Sequence, residues 1–569
     1  MAGGDGALVE VDNVTFRYRR ATEPAIRNVS LSVSPGEVLL VAGPSGCGKS
    51  TLIRAINGLI PHAYPGELSG AVRLGGRATT DLKLRDIART VGTVLQDPAK
   101  QIVGATVEAE LAFGPENLGV PRAEIRALVN TVSEEAGIAS LLGRETAALS
   151  GGERQLLAMA GILMMRPRLY VVDEPLANLD PLSAARLLAI LRALADRGDA
   201  VVIVEHRVEE ALALRPDRVL YLDAGVNRYL GPVAGFLDIA DPREVKLPFE
   251  VVMARARAGG LSDLLESPDR EAGRTGREGV ADDGPARLEF RAVEASIGDH
   301  RILHGLDAKL GRREVVAVLG PNGSGKTTAF RTAMRLLPIT SGQILVDGAD
   351  TATRSTASLA TIFGYVFQSP SQMLFARSVR EELVFGPRNL GRDPATFDEV
   401  VAHALRRTAL DQLEGIRERP PLSLSFGQQK RLALAIALAL QPASLILDEP
   451  SAGQDHQTAE AFVREVLAVP GLESVYFITH DVDLALTHAD RILLFRDGRI
   501  VADGAPKEVI VDEVRWRACN LTHTSLMQAN ARWGARDGRF LDAESLARRI
   551  VAAEGARSEA EGGAGVDAW

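Results

Sequence analysis

The sequence predicts an α/β fold that occurs twice in one chain, each copy built around a largely parallel sheet. Three observations predict it. Short β-rich runs alternate with longer helical patterns, as parallel strands with helical crossovers require. Two glycine-rich loops each follow an apolar run and open a helical pattern. The motifs then recur in the same order at a nearly constant offset, which marks a duplicated module rather than a solenoid.

The first loop, Gly43, Pro44, Ser45, Gly46, Cys47, Gly48, Lys49, Ser50 and Thr51, returns 277 residues later as Gly320, Pro321, Asn322, Gly323, Ser324, Gly325, Lys326, Thr327 and Thr328. Asp173-Glu174-Pro175 returns as Asp448-Glu449-Pro450 after 275 residues, and His206 as His480 after 274. Phe113-Gly114-Pro115 is echoed by Phe385-Gly386-Pro387 after 272. The copies therefore span residues 7–240 and 287–512. Residues 255–286 are rich in glycine and charge, a composition that cannot bury a core and reads as a linker. Residues 513–569 form an extension: 539–551 has helical spacing that suits packing on the second copy, and the stretch from 554 on reads as frayed.

Within the first copy, Val38-Leu-Leu-Val-Ala42, Leu169-Tyr-Val-Val-Asp173 and Ala200-Val-Val-Ile-Val204 are buried-strand candidates. Leu187 to Leu194 is the helix between the last two. A length of 569 residues predicts about three or four domain-sized units, and 46% hydrophobic residues suits large cores. The net charge of −9 argues against non-specific nucleic-acid binding, which needs a basic surface. Two cysteines, Cys47 and Cys519, are too few for a disulfide framework, a cysteine-rich zinc site or an iron–sulfur cluster, and point to the cytoplasm. The first residues lack the basic and apolar regions of a signal peptide. No apolar run reaches the ~20 residues that cross a bilayer, so the chain is expected to dock on a membrane rather than span it.

Both loops match G-x-x-x-x-G-K-[ST]. Their glycines let backbone N–H groups curl around phosphates, and the following helix N-terminus adds a favourable dipole. Lys49 and Lys326 reach the β- and γ-phosphates in this reading, and Ser50 and Thr327 ligate magnesium. Asp173 and Asp448 end apolar strands, where a carboxylate can hold the hydrated metal. Glu174 and Glu449 follow directly and are placed to polarise an attacking water.

At this point the sequence resembles the ATP-binding-cassette ATPases. Leu149-Ser-Gly-Gly-Glu-Arg-Gln155 looks like their signature motif, and Asn178-Leu179-Asp180 like the D-loop. Gln96 and Gln368 match the Q-loop glutamine, a further metal ligand; His206 and His480 match the switch histidine. A lone glutamine or histidine says little, but the ordered set in both copies is specific. The resemblance implies two P-loop cassettes, each a mostly parallel sheet with an antiparallel β subdomain and a helical subdomain. It implies ATP and Mg²⁺, and a head-to-tail sandwich. One site then joins Lys49 to Ser425 and Gly427; the other joins Lys326 to Ser150, Gly151 and Gly152. The catalytic residues are Glu174, His206, Glu449 and His480.

The departures matter as much. The second signature reads Leu424-Ser-Phe-Gly-Gln428, with bulky Phe426 where glycine is usual, and a restricted backbone is expected there. Tyr18 stands where an aromatic stacks on adenine, but copy two has Ile297. The second D-loop reads Gly453-Gln454-Asp455. Both acids and both histidines persist, so two hydrolytic sites of unequal rate are expected.

The segments after the Q-loop, Gln96 to Val107 and Gln368 to Val379, with Glu110-Leu-Ala-Phe-Gly-Pro115 and Glu382-Leu-Val-Phe-Gly-Pro387, are similar to the energy-coupling-factor (ECF) ATPases. That family drives uptake of vitamins and transition-metal ions. The likeness implies a transmembrane T-type coupling subunit, a substrate-binding S subunit and a peripheral place on the cytoplasmic face of the cell membrane. Ile102, Val103, Met373, Leu374 and Phe375 would line the groove for a coupling helix. The acidic residue frequent after the proline is replaced by Ala99 and Ser371; Asp97 lies close by in copy one. Glu205-His206-Arg207 looks like the switch segment of vitamin-type members. Two other readings stay open. One is the ATPase of another transporter, such as a small-molecule exporter. The other is a tandem cassette acting on ribosomes or DNA, against which the acidic charge and short linker weigh.

Overall fold

The computed structural model describes residues 6–19, 21–177, 179–259, 285–298, 300–534 and 540–563. The chain divides into two units. The first comprises Met1–Val251 with Gly453–Gln457, and the second comprises Val252–Ala452 with Thr458–Trp569. The division falls inside the helix Phe249–Arg257.

In the first unit, β1 (Val9–Tyr18), β2 (Ile26–Val33), β4 (Gly66–Leu74) and β5 (Arg77–Ala78) form an antiparallel sheet in the order β2-β1-β4-β5. The larger sheet runs β10-β9-β3-β8-β7-β6, from β3 (Val38–Ala42), β6 (Val91–Val94), β7 (Leu169–Asp173), β8 (Ala200–Val204), β9 (Arg218–Asp223) and β10 (Val226–Gly231). Its pairs are parallel except β9 with β10. Every residue of β3, β7 and β8 is buried. Strands covered on both faces lose the polar alternation of a half-exposed strand, which is why they were legible as unbroken apolar runs. The expected helix after β7 spans Pro181–Asp196, longer at both ends than its apolar run. Helices Val107–Leu118, Arg122–Ala136 and Gly151–Leu163 form the helical part.

The second unit repeats this plan. β11 (Leu288–Ile297), β12 (His300–Leu310), β14 (Ser341–Val346) and β15 (Ala349–Asp350) make the antiparallel sheet. The larger sheet runs β16-β17-β18-β13-β19-β20, with β13 (Val315–Leu319), β16 (Phe363–Val366), β17 (Ser444–Asp448), β18 (Ser474–Ile478), β19 (Arg491–Arg496) and β20 (Arg499–Gly504). Helices Val379–Asn389, Phe397–Arg407 and Phe426–Ala439 share a separate apolar core through Leu383, Val401, Leu405, Leu432 and Ala435.

The extension beyond 512 is part of the second unit rather than an appendage. Trp516, Cys519, Leu521 and Met527 join the same core cluster as Phe462, Phe477 and Leu494. Asn530 receives the N–H of Leu541 at 2.8 Å and donates to its carbonyl at 2.8 Å. The helix Ala543–Gly563 buries Leu546, Ala547 and Ile550. The fraying expected from Glu554 on is therefore not observed at its start: the helix continues to Gly563, and Glu554 pairs with Arg257 at 2.6 Å. Arg257 belongs to the stretch expected to be unstructured linker, yet Val252, Met253 and Ala256 of its helix are buried. The rest of the expected linker, 260–284, and residues 535–539 and 564–569 lie outside the described residues.

Candidate nucleotide and catalytic sites

Each glycine-rich loop joins a buried central strand to a helix. In the first unit it connects β3 to the helix Lys49–Ile56; in the second it connects β13 to Lys326–Ala333. Gly43 has φ +145°, and a Cβ built on it would stand 2.2 Å from the carbonyl oxygen of Leu222 in β9. Gly320 repeats this against Phe495 of β19, again at 2.2 Å. Only glycine satisfies that combination. The Lys49 ammonium donates to the carbonyls of Gly43 and Pro44, both at 2.8 Å, and that of Lys326 to Gly320 at 2.8 Å and Pro321 at 2.7 Å. Each lysine thus arches over its own loop, and a phosphate with more charge than a carbonyl would recruit it.

Asp173 and Asp448 end β7 and β17 beside the hydroxyl-bearing residue of the loop, as expected. Thr327 donates its hydroxyl to Asp448 at 3.0 Å, and Tyr365 donates to the other oxygen at 3.1 Å. Burial pushes the Asp173 carboxyl up to about 6, with Glu174 adding to the rise and Ser50 and Lys49 opposing it. Among the described residues Asp173 Oδ1 is buried with no hydrogen-bond partner. A carboxylate beside a hydroxyl, with an oxygen still to satisfy, is a hard-oxygen donor set that fits Mg²⁺.

Glu174 and Glu449 come next, both with positive φ, at +49° and +52°. His206 Nε2 lies 3.0 Å from Glu174, and His480 Nε2 lies 3.0 Å from Glu449. Gln96 donates to the second oxygen of Glu174 at 2.7 Å, so Q-loop residue, acid and histidine form one chain of contacts. The two acids differ. Burial alone would raise Glu174, but hydrogen bonds from His206 and Gln96 and the charges of His206 and Lys49 outweigh it and hold the carboxyl below its usual range. Burial raises Glu449, and the Lys326 charge does not reverse it.

Ser150 and Ser425 each open a helix with a capping box, closed by Glu153 and Gln428 respectively. Phe426 occupies the first helical position with ordinary helical backbone, as Gly151 does. The backbone restriction expected from Phe426 is therefore absent, because that position needs only the right-handed region open to any residue. What differs is bulk, and the Phe426 side chain is exposed. Tyr18 stands beside the first loop, with its hydroxyl 3.1 Å from Thr51 and 2.8 Å from Arg54. Ile297 is exposed at the end of β11. Asp180 caps the helix Pro181–Asp196 through the N–H of Ser183 at 2.9 Å; Asn178 lies outside the described residues.

The five expected groove residues split, with Ile102 half-buried. Val103 and Phe375 are 62% and 64% exposed. Leu374 is not available: it is buried in the core of the second helical part, and Met373 packs against another core cluster. Glu110 and Glu382 are functional residues that their motifs alone leave without a task. Both are buried carboxylates that turn back to hold the exposed loops. Glu110 accepts from the N–H groups of Val103 and Gly104 at 2.8 and 2.6 Å, and Glu382 from those of Phe375 and Ala376 at 3.0 and 2.8 Å. Their recurrence seven residues after each apolar loop residue was the available signal.

These features define a tandem P-loop nucleotide-binding protein. Comparison with known proteins narrows the class. A family model for ABC transporters matches residues 26–177 and 303–452. A Methanosarcina acetivorans protein named for an ABC transporter ATP-binding role is 35% identical over 542 residues, covering 88% of this chain and 86% of its own. One from Enterococcus faecalis, named likewise, is 32% identical, covering 91% and 94%. Among solved structures, cbiO1 from Clostridium perfringens, part of the ABC transporter complex cbiONQ, is similar at 32% identity and a TM-score of 0.36, covering 42% of this chain and 95% of that one. The chain belongs to the ABC transporter family; it is an ATP-binding subunit of that class, and an ATPase.

Proposed function

We propose that the chain is the ATPase of an ECF-type importer of vitamins or transition-metal ions. The observation that carries this reading is the pair of exposed apolar loop residues, Val103 and Phe375, each directly after a Q-loop and each with its backbone fixed by a buried glutamate. Phe375 stacks edge-on against Phe385, itself exposed, and Phe113 is exposed at the same place in the first copy. A rigid apolar knob suits an amphipathic helix of a membrane subunit, here a T-type subunit bound to a substrate-binding S subunit. No helix among the described residues is long and apolar enough to cross a membrane, so the membrane-spanning path falls to partners at the cytoplasmic face.

Each ATP lies between the loop of one cassette and the signature of the other in this reading. Lys49 or Lys326 leaves its carbonyls for the β- and γ-phosphates. Ser50, Gln96 and Asp173, or Thr327, Gln368 and Asp448, would hold Mg²⁺, which would supply positive charge to the transferring phosphoryl group. Glu174 and Glu449 orient and polarise the water, and His206 and His480 fix the carboxylates. Ser425 with Gly427, and Ser150 with Gly151 and Gly152, bind the γ-phosphate edge from across. ATP closes the pair, and hydrolysis releases it.

Affinity capture of the full-length chain from native membranes tests the importer reading. Recovery of one helical membrane protein and a small, very hydrophobic one supports it. Recovery of ribosomal proteins, or of a large exporter-type membrane domain, sinks it. The nucleotide chemistry is tested separately: an E174Q/E449Q chain is expected to bind ATP while losing at least about 100-fold in turnover.

A further inference from the structure

The two cassettes fasten the loop behind the acidic residue with different buried charges. In the second, Lys430 sits one turn into the helix that begins at Phe426. It is 1% exposed, and its ammonium donates to the carbonyls of Glu449 at 3.3 Å, Pro450, and Ala452 at 3.1 Å. Three carbonyls of a single turn thus converge on one cation. The equivalent residue in the first cassette is Gln155, also 1% exposed, and among the described residues neither atom of its amide has a partner.

The first cassette uses an acid instead, from the segment that follows β8. Glu205, 2% exposed, accepts the N–H of Leu176 at 2.8 Å with one oxygen. Its other oxygen accepts the N–H groups of His206 at 3.1 Å and Arg207 at 3.3 Å. The Arg207 guanidinium then donates to the carbonyl of Leu176 at 3.0 Å. Leu176 is therefore held by both its N–H and its C=O. The matching positions in the second cassette are Thr479, Asp481 and Ser451, where the hydroxyls of Ser451 and Thr479 meet at 3.5 Å.

We infer that Lys430 and Glu205 are positioning residues, each holding the loop that carries the catalytic glutamate of its own cassette, Glu449 or Glu174. Lys430 does so from the signature helix; Glu205 does so from the segment of the switch histidine. The energetic argument is common to both. A charge buried this deeply is retained only where it is matched by several dipoles, and removing it leaves those groups unsatisfied. Both glutamates sit at positive φ, a backbone state that a side chain adopts only when its surroundings hold it there. The second cassette also ties signature and acid into one body, whereas in the first those two elements lack that tie among the described residues. Movement of the signature helix as a nucleotide is engaged is thereby transmitted to Glu449 directly, but not to Glu174.

The inference rests on the reading of Glu174 and Glu449 as catalytic acids, and its test separates the two. The full-length chain is prepared as K430Q, K430M, K430R and E205Q. Hydrogen–deuterium exchange is followed over 449–455 and 174–180, and ATP turnover is measured in parallel. K430Q and K430M are expected to speed exchange about tenfold over 449–455 while leaving 174–180 unchanged. They are expected to lower kcat several-fold with KM for ATP within about twofold. K430R, which keeps the cation, is expected to restore much of both. E205Q, compared with the native chain above pH 8 where Glu205 is ionised, is expected to show the mirror pattern, since a glutamine NH₂ would face the N–H groups that the carboxylate satisfies. Unchanged exchange at the cognate loop overturns the inference, as does faster exchange spread over the whole cassette, which would mean a general loss of stability. A kcat that stays constant while the loop loosens also overturns it. If the lysine variants fail to fold, E205Q still decides: protection of 174–180 in that chain overturns the inference. Turnover within about tenfold of native in the E174Q/E449Q chain would instead refute the catalytic reading, whatever the exchange data show.

Discussion

At the scale of single residues, the sequence exposes whatever chemistry is tied to a motif and hides whatever depends on the fold. Lys49, Asp173, Glu174 and His206 stand out as candidates because phosphate and metal chemistry calls for those residue types in that order, and the fold brings Glu174, His206 and Gln96 into contact. Lys430 was invisible as a functional group, and Glu205 stood out only as part of a switch segment, without a task of its own. A lysine in an apolar helical run reads as a solvent-facing residue, and only the packed structure shows it enclosed, with burial driving its ammonium down to about 7 against the opposing charge of Glu449. Burial likewise pushes Glu205 up to about 8, opposed by the Leu176 N–H and the Arg207 charge. Its ordinary value is 4.5, so between roughly 4.5 and 8 the folded chain keeps a proton that the unfolded chain has released. Stability tied to this group is therefore present at low pH and lost as pH rises through that window. Thermal melts from pH 5 to 8 should show a falling midpoint for the native chain and a shallower fall for E205Q; parallel slopes would refute the assignment.

At the scale of elements, the helix Val107–Leu118 and its counterpart Val379–Asn389 do more than fill the helical part. Each reaches back through a buried glutamate to immobilise the loop before it. E110A and E382A leave the phosphate loops untouched, so the isolated chain should keep ATP turnover within about threefold. Release of the N–H groups of Val103 and Phe375 should nonetheless weaken capture of membrane partners. Equal recovery of partners by native and E110A/E382A chains would count against a docking role for these loops. V103D and F375D supply a control that alters the exposed surface itself without disturbing the support. The signature helices illustrate the limit of reading elements from motifs: the substitution at Phe426 looked like a backbone problem, yet the helix starts in the same way in both copies.

At the scale of the molecule, duplication was the most readable property, because an offset survives where individual residues diverge. The extension was the least readable. Its composition suggests a loosely attached tail, yet Trp516 is fully buried in the core of the second unit. W516A should cost about 3–5 kcal/mol, the usual price of emptying a large aromatic site, and show as an early melting transition of the second cassette. A chain ending at residue 512 should misfold in that cassette while the first still melts normally. A truncated chain with two unchanged transitions would mean that the extension contributes nothing to the core.

The first glycine of each phosphate loop has a consequence for how such a protein decays. Gly43 and Gly320 abut the carbonyls of Leu222 and Phe495, so they answer to the strand order of the sheet and only indirectly to nucleotide. The Lys49 and Lys326 ammonium groups donate to loop carbonyls, which solvent could satisfy instead. If one of the two sites fell out of use, its lysine could drift in sequence, while its leading glycine would remain under the constraint of folding. A degenerate cassette in this architecture would thus keep the outline of its nucleotide cradle long after losing the grip, and glycines alone would be a poor witness to an active site.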